Sequence, residues 1–508
     1  MKRASIAPAT VLALAACSPH DVTTAPAAPV QLPATYGEET PAAGQARPER
    51  WWTQFGDAEL DRLVDASLGS NFDLLAAWSR FAQAVAGADA AGAPRWPTLD
   101  ASASAQIQNE NSFRRDFIPM GDDGAAAMAF PEPPSTIRSA RGSIGASYEV
   151  DLWNKLGSAA KAAALDRESA HDSVQTMAMS LAAEVTETWL DLVQVRARRA
   201  LLEKQLEINE TFVELLKVRL GQGLASAVEI NQQRQLAIDN GAQLELTISN
   251  ERMLQNRLAL LTGKPPGRLQ VGARAELPAV PTPPAVGVPS ELLQRRPDVR
   301  AARRRVEAAD YRVAVAVADR YPSLRLTADL TSSPSSLNDW LLDPIWTLAG
   351  SIALPIFDGG RRAAEVERNR AIVSEQVAAY GQALLSAMVE VSNALAQAQQ
   401  QQKHIARIQE QLEVAQMTLE QAQARYGNGM SDFLTVLTAL RSQQQVEMSL
   451  LAARRQLLSH RVQLFRALGG TWMAELEQPE LLTPTDPNEE PQPAPAAAAT
   501  PPSAGDKS

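Results

Sequence analysis

The amino-acid sequence predicts a mixed α+β protein in which one structural unit is written twice, each copy holding two β-strands and a long α-helical hairpin. Three observations carry this reading. First, Phe357 to Gln478 contains no proline and is rich in Ala, Gln, Leu, Glu and Arg, the composition of long helices. Within it, Ile405, Ile408, Leu412, Ala415, Leu419, Ala422 and Tyr426 step by threes and fours as a heptad seam. After Arg425-Tyr426-Gly427-Asn428-Gly429, where glycines permit a tight reversal, a second seam returns through Val446, Leu450, Ala453, Leu457, His460, Leu464 and Ala467. Second, the pattern recurs 206 positions earlier. Arg219-Leu220-Gly221-Gln222-Gly223 matches the later turn, Glu184-Val185 matches Glu390-Val391, and Leu258 and Gly263 match Leu464 and Gly469. Third, short runs between the helical stretches alternate apolar and polar residues with the period of a β-strand.

In chain order, residues 1–16 carry Lys2 and Arg3, then an apolar run too short to span a bilayer, as in a signal peptide. The run closes on Leu14-Ala15-Ala16-Cys17, which resembles a bacterial lipobox, so Cys17 is the expected lipidation site. The alternative is an ordinary signal peptide cut near Ala16, with Cys17 incidental. Residues 17–48 read as a lipid-anchored linker, rich in Ala, Pro and Thr. Repeat 1 spans 49–264: helices from Trp51 to Leu68 and from about Asp73 to Ala91, strands at about 98–108 and 142–153, and a coiled-coil hairpin over 157–263. Residues 109–140 between the strands read as a flexible surface loop. A proline-rich connector covers 265–288. Repeat 2 spans 289–470, with strands at about 323–331 and 346–357 and a hairpin over 360–469. Its outgoing arm reaches on the order of 95 Å at 1.5 Å per residue. Residues 471–508 are expected to be largely disordered.

The strands admit two readings. Leu99, Ala101, Ala103, Ala105 and Ile107 alternate with Asp100, Ser102, Ser104, Gln106 and Gln108, and the other three runs follow suit. This fits transmembrane strands around a wet lumen and equally a half-buried soluble sheet. Four strands cannot close a membrane barrel, which starts at about eight, and lipid tolerates no open edges. Either the sheet is soluble or several chains share one barrel.

Composition narrows the function classes. A single cysteine in 508 residues excludes an intrachain disulfide framework and a multi-cysteine metal site. The four histidines, His20, His171, His404 and His460, are scattered with no nucleophile or carboxylate constellation, so no enzyme is expected. No cofactor is implied. His460, on a heptad seam, reads as a packed core residue. Arg303-Arg304-Arg305 reads as a solvated helix face, since a net charge of −10 argues against nucleic acid.

An ordered set of motifs then narrows the family. It comprises Trp51-Trp52 with Phe55 and Leu60; Tyr148-Glu149-Val150-Asp151-Leu152-Trp153; Arg295-Arg296-Pro297-Asp298-Val299-Arg300-Ala301-Ala302; and Arg320-Tyr321-Pro322. Leu354-Pro355-Ile356-Phe357-Asp358-Gly359-Gly360, the Arg425–Gly429 turn and Ala467-Leu468-Gly469-Gly470 complete it. Over roughly residues 45–475 the chain resembles the TolC-like outer-membrane factors of Gram-negative efflux systems, most closely their OprM- and NodT-like lipoprotein branch.

The resemblance implies a homotrimer in which each chain gives four strands to a twelve-stranded outer-membrane barrel and its helices to a periplasmic α-barrel. It implies a passive exit duct for drugs or other small toxic compounds, with a periplasmic adaptor and an inner-membrane transporter of the resistance-nodulation-division class as partners. Ser18 after the lipobox implies sorting to the outer membrane, whose lipid is a further partner. The turns holding Arg219, Gly221, Gly223, Arg425, Gly427 and Gly429 become the periplasmic tips that receive the adaptor; alternatively the glycines serve the turn alone. Just past the second turn the aperture candidates are Asp432, Leu434 and Thr438. Leu434 fits an apolar ring, Thr438 stands where the family often has an acid, and Asp432 either lines the gate or caps a helix. Two other functions remain open: a duct for type I protein secretion, and a structural envelope lipoprotein.

Overall fold

The computed structural model describes residues 18–23, 26–33, 35–36, 49–110, 113–119, 125–131, 135–332 and 344–479. The expected leader, Cys17, residues 333–343 between the last two strands and the tail from 480 lie outside the described residues. The chain opens with a 3-10 turn at Trp51–Phe55, then α1 (Ala58–Ser70) and α2 (Phe72–Gly92). Strands β1 (Thr98–Glu110), β2 (Phe113–Pro119), β3 (Ala125–Pro131) and β4 (Ser135–Val150) follow. The first hairpin is α3 (Lys155–Gly221) with α4 (Ala227–Leu261). Repeat 2 runs through α5 (Leu292–Arg295), α6 (Pro297–Ala318), β5 (Ser323–Ser332) and β6 (Ile345–Ala353) to the hairpin of α7 (Arg361–Gly427) and α8 (Phe433–Leu468).

Helices α3 and α7 are each 67 residues long, about 100 Å. Both stop in the same way. Leu224 N–H donates to Arg219 O and Gly223 N–H to Leu220 O; Met430 N–H and Gly429 N–H repeat the pattern onto Arg425 O and Tyr426 O. Gly223 and Gly429 sit at φ +73° and +70°, the left-handed C′ position of a Schellman cap. Only the second glycine of each pair does the turning: Gly221 and Gly427 are ordinary helical residues. The returning helices start on side-chain caps, Ser226 with Glu229 in a capping box and Asp432 accepting from Thr435 N–H at 3.1 Å.

Strands β1-β4-β5-β6 form one antiparallel sheet in that order, and β2 pairs with β3 alone. Helix order mirrors strand order: α3 packs against α2 and α6, and α6 against α7. In the lower half α4 packs on α3, α3 on α8 and α8 on α7. Among the described residues four hydrophobic clusters hold these layers, two of them in the lower half around Phe433 and around Val446. In the largest, Trp51 stacks on Phe465 at 5.5 Å and Trp52 meets Trp472 edge-on at 4.9 Å, over Trp189, Leu190 and Leu192. The second core gathers Leu292, Val299, Tyr380, Leu384 and Val391.

Several boundaries differ from the sequence expectation. The 109–140 stretch is not a plain loop, since it holds the β2–β3 ladder and the first residues of β4. Strand β4 ends at Val150, and β6 at Ala353 because Pro355 cannot continue a ladder. The 471–508 region begins with an ordered 3-10 turn whose Trp472 and Met473 are buried. The N-terminal linker is docked: Asp310 accepts from Thr23 N–H at 2.7 Å and pairs with His20 at 2.7 Å, while Tyr36 joins the second core. Pro29 packs on Gly381 of α7 where a Cβ would crowd it.

The arginine run is also not simply solvated. Arg304 pairs with buried Asp172 at 2.9 Å, as does Arg300, and Arg303 pairs with Glu307. Asp172 comes from α3, and a carboxylate buried at a helix interface requires such partners. Arg296 is buried likewise, held by Asp298 and Glu390. His460 is buried on α8.

Candidate functional site

Among the described residues, the sheet and the hairpin tips are the regions whose geometry bears most directly on function. In the sheet, cross-strand register puts side chains of one kind on one face. Ala101↔Ile144, Ile144↔Leu330 and Leu330↔Trp346 form one row across all four strands. Leu99↔Ala146, Ala146↔Ala328 and Ala328↔Leu348 form the next. The other face carries Ser102↔Ser143, Ser143↔Thr331, Gly145↔Asp329 and Glu149↔Arg325, the last an ion pair at 3.6 Å. At Gly145 an added Cβ would meet the end of the Asp329 side chain, which would have to swing aside to admit it.

No described residue covers the apolar face. Leu99 is 74% exposed, Trp346 77% and Ile352 75%. A soluble half-buried sheet would hide these residues in a core. Among the described residues β1 and β6 each pair on one side only. An apolar exterior, a polar interior and two bare edges are what a sector of a membrane barrel presents. Trp153 ties the strand bases together, its Nε1 donating to Pro322 O at 2.7 Å. Below it Asp319 binds Lys155 and Arg362, joining α3, α6 and α7, and these cations hold its carboxyl below the usual range against the opposing effect of burial.

At the tips, the two hairpins of the chain clasp each other. The Arg219 guanidinium lies over the Tyr426 ring at 4.5 Å from its centre. The Tyr426 hydroxyl donates to Glu229 Oε2 at 3.4 Å, and its ring meets Phe433 edge-on at 5.5 Å. Burial first, then the neighbouring Glu229 carboxylate, pushes the Tyr426 hydroxyl pKa up. Arg425, the repeat equivalent of Arg219, is exposed. The clasp escaped sequence reasoning. The signal for it was a break in the repeat, since Tyr426 stands where repeat 1 has Leu220.

The aperture candidates lie beside the clasp on α8. Phe433, Val436 and Leu437 are buried, whereas Leu434 is 54% exposed and shares the open face with Thr438. Thr438 Oγ1 donates to Leu434 O at 2.7 Å, so its hydroxyl is turned to the backbone. Asp432 caps α8, accepting from Thr435 N–H and Oγ1, and these bonds hold its pKa below the ordinary value. Exposed Leu220, Leu224 and Met430 surround the turns. No group of side chains suited to a metal ion occurs among the described residues, and no described helix is long and apolar enough to cross a membrane.

This geometry has close parallels. The family model described as outer membrane efflux protein matches residues 63–264 and 288–470. The chain belongs to the outer membrane efflux protein family. It is similar to the pyoverdine export outer membrane protein OpmQ of Pseudomonas putida, 32% identical over 91% of this chain and 96% of that one. It is also similar to the outer membrane protein OprJ of Pseudomonas aeruginosa, 29% identical over 91% and 94% of the two chains. Among solved structures, the outer-membrane channel OprN superposes with a TM-score of 0.78 at 26% identity, covering 88% of this chain and 98% of that one. As a member of this family the protein is an outer-membrane efflux channel, and its bare sheet is the sector it contributes to the membrane.

Proposed function

We propose that three copies of this chain form the passive exit duct of a tripartite efflux system for small molecules. An inner-membrane transporter of the resistance-nodulation-division class drives it, through a periplasmic adaptor. The observation that carries the reading is the four-stranded sheet with both edges free and an uncovered apolar face. Three such sheets make twelve strands, enough to close a barrel with a wet lumen. Exposed Ile238, Leu246, Met253 and Leu260 form a stripe on edge helix α4, and exposed Val414 and Met417 lie on edge helix α7. Neighbouring copies cover these residues along the tunnel wall.

Acylated Cys17 begins the mature chain and anchors it in the outer membrane. The adaptor docks on the exposed apolar rim of the tips, and Leu434 of each copy closes the resting aperture. Asp432 serves the helix as its cap, not the gate. Native mass spectrometry of detergent-solubilised protein, with conductance across planar bilayers, tests the core of this reading. A particle of three chains that conducts is the expected result. A stable folded monomer, or a trimer that passes no current even when Leu434→Ser removes the proposed plug, overturns it.

A further inference from the structure

We propose that the upper tunnel carries a basic, anion-binding groove, so that the cargo it accommodates best is an anionic small molecule. This rests on the conduit reading above. The groove measures about 660 Å³ and lies among α2, α3, α6 and α7. Its charged lining is Arg80, Arg305 and Arg312 against one carboxylate, Asp166. Arg312 is spent on Asp166, with which it forms an ion pair. Arg305 donates to the Ser169 hydroxyl at 3.1 Å, and Arg80 has no hydrogen bond or ion pair among the described residues. Arg80 and Arg305 are exposed and form no ion pair, although Arg305 lies near enough to Asp166 to feel its charge, so the lining holds three guanidiniums to one carboxylate in a chain of net charge −10. Towards the sheet a second pocket shares Asp166 and Arg312 with the groove and adds Lys155, Arg361 and Arg362, opposed by Asp319 and Glu365.

The N-terminal arm shows which side of the helix layer this groove is on. The arm touches α6 at Asp310 and α7 at Gly381. At 3.6 residues per turn, Asp310 is about 140° around α6 from Arg305. Gly381 is about 140° around α7 from Gln376, which lines the groove. Both helices thus turn the groove away from the arm. A chain segment that leads to a bilayer anchor runs outside the tunnel, so the groove faces the lumen. There, planar guanidinium forks bind carboxylate-like or chelating oxygen pairs. Threefold repetition sums their field over the tunnel. Partial exposure to water keeps the binding weak enough for release.

Titration calorimetry of the intact trimer at low salt, with citrate as anionic probe and spermidine as cationic control, tests this. Citrate is expected to bind, and the Arg80→Gln/Arg305→Gln double variant, altered at two exposed positions, to weaken it about tenfold or more. Absence of citrate binding, preferential spermidine binding, or citrate binding untouched by the double variant overturns the inference. Bilayer conductance on the same preparation separates the two claims. A conducting channel without citrate binding sinks the basic groove alone, whereas a trimer that does not conduct even with Leu434→Ser sinks the duct and the groove with it.

Discussion

If the clasp between the two hairpin tips belongs to the closed tunnel alone, dissecting it should open the channel by a calculable amount. Tyr426→Phe keeps the ring against Phe433 and beneath Arg219 and deletes only the hydroxyl that reaches Glu229 at 3.4 Å. That contact is long and its acceptor half-buried, so the loss is about 0.5 kcal/mol per chain, the low end for a hydrogen bond. Arg219→Gln removes a guanidinium 4.5 Å from the ring centre, about 0.5–1 kcal/mol at a partly exposed site. The pair of changes costs about 1–1.5 kcal/mol per chain, or about 3–4.5 kcal/mol when three tips move together. With about 1.4 kcal/mol for each tenfold, Tyr426→Phe should shift the closed-to-open equilibrium about tenfold, and the double variant by two to three powers of ten. Single-channel recordings in planar bilayers read this as shortened closed dwell times. Arg425→Gln, at the exposed repeat-equivalent position, is the control and should leave the dwell times alone. A double variant that stays trimeric and closed like the parent would show that the clasp is equally present in both states, and the argument would fail.

Three further outcomes follow from the same geometry. Gly429→Ala, forced to φ +70°, should cost the tip about 1–2 kcal/mol and speed amide exchange there, whereas Gly427→Ala, a helical position with open space, should be neutral or slightly stabilising. Leu348→Arg on the uncovered apolar face should cost about 2–4 kcal/mol and reduce membrane assembly, while Thr347→Arg on the polar face, opposite Asp329, should assemble normally in heat-modifiability gels. Burial first, with Arg455 nearby, pushes the His460 pKa below its ordinary value against weaker opposition from Gln463 and Glu187. Below pH 6.5 the unfolded chain then holds the proton more readily than the folded one, so stability is full above that pH and falls on acidification. The thermal midpoint should drop from pH 7 to pH 5 in the parent and drop less in His460→Gln; equal slopes would remove His460 as the cause.

What could be read in advance was whatever a periodic pattern encodes. The seams through Ile405 to Tyr426 and Val446 to Ala467 lie on α7 and α8, because a heptad repeat this long has no other economical structure. The alternation around Leu99 and Leu324 specified which face of each strand would be apolar, and register then aligned those faces across the sheet. Features set by non-periodic partners were invisible. Nothing local to Arg304 announces Asp172, which comes from another helix 132 positions earlier. Nothing in the Ala/Pro-rich N-terminal stretch announces that Pro29 finds a glycine to rest on. Strand ends drifted for the same reason: β4 starts at Ser135 because β1 extends to Glu110 to pair with it, and pairing has no signature within one strand.

The two edges of the chain carry a further consequence. Strand β1 leaves α2, and β6 enters α7, so the free edge strands stand directly on the edge helices. The inner strands β4 and β5 likewise stand on the inner helices α3 and α6, fastened at the base by the Asp319 bridges to Lys155 and Arg362. Each chain is thus a single wedge whose sheet and helix layer end at the same two sides. In the proposed trimer, β1 of one copy can reach β6 of the next only when α2 also reaches α7. Barrel closure and upper-tunnel closure therefore form one cooperative step, in which backbone edges that lipid cannot tolerate are satisfied as the helix stripes are covered. A substitution on the α2 or α7 edge, far from the bilayer, should consequently impair barrel assembly as strongly as one on β1 or β6.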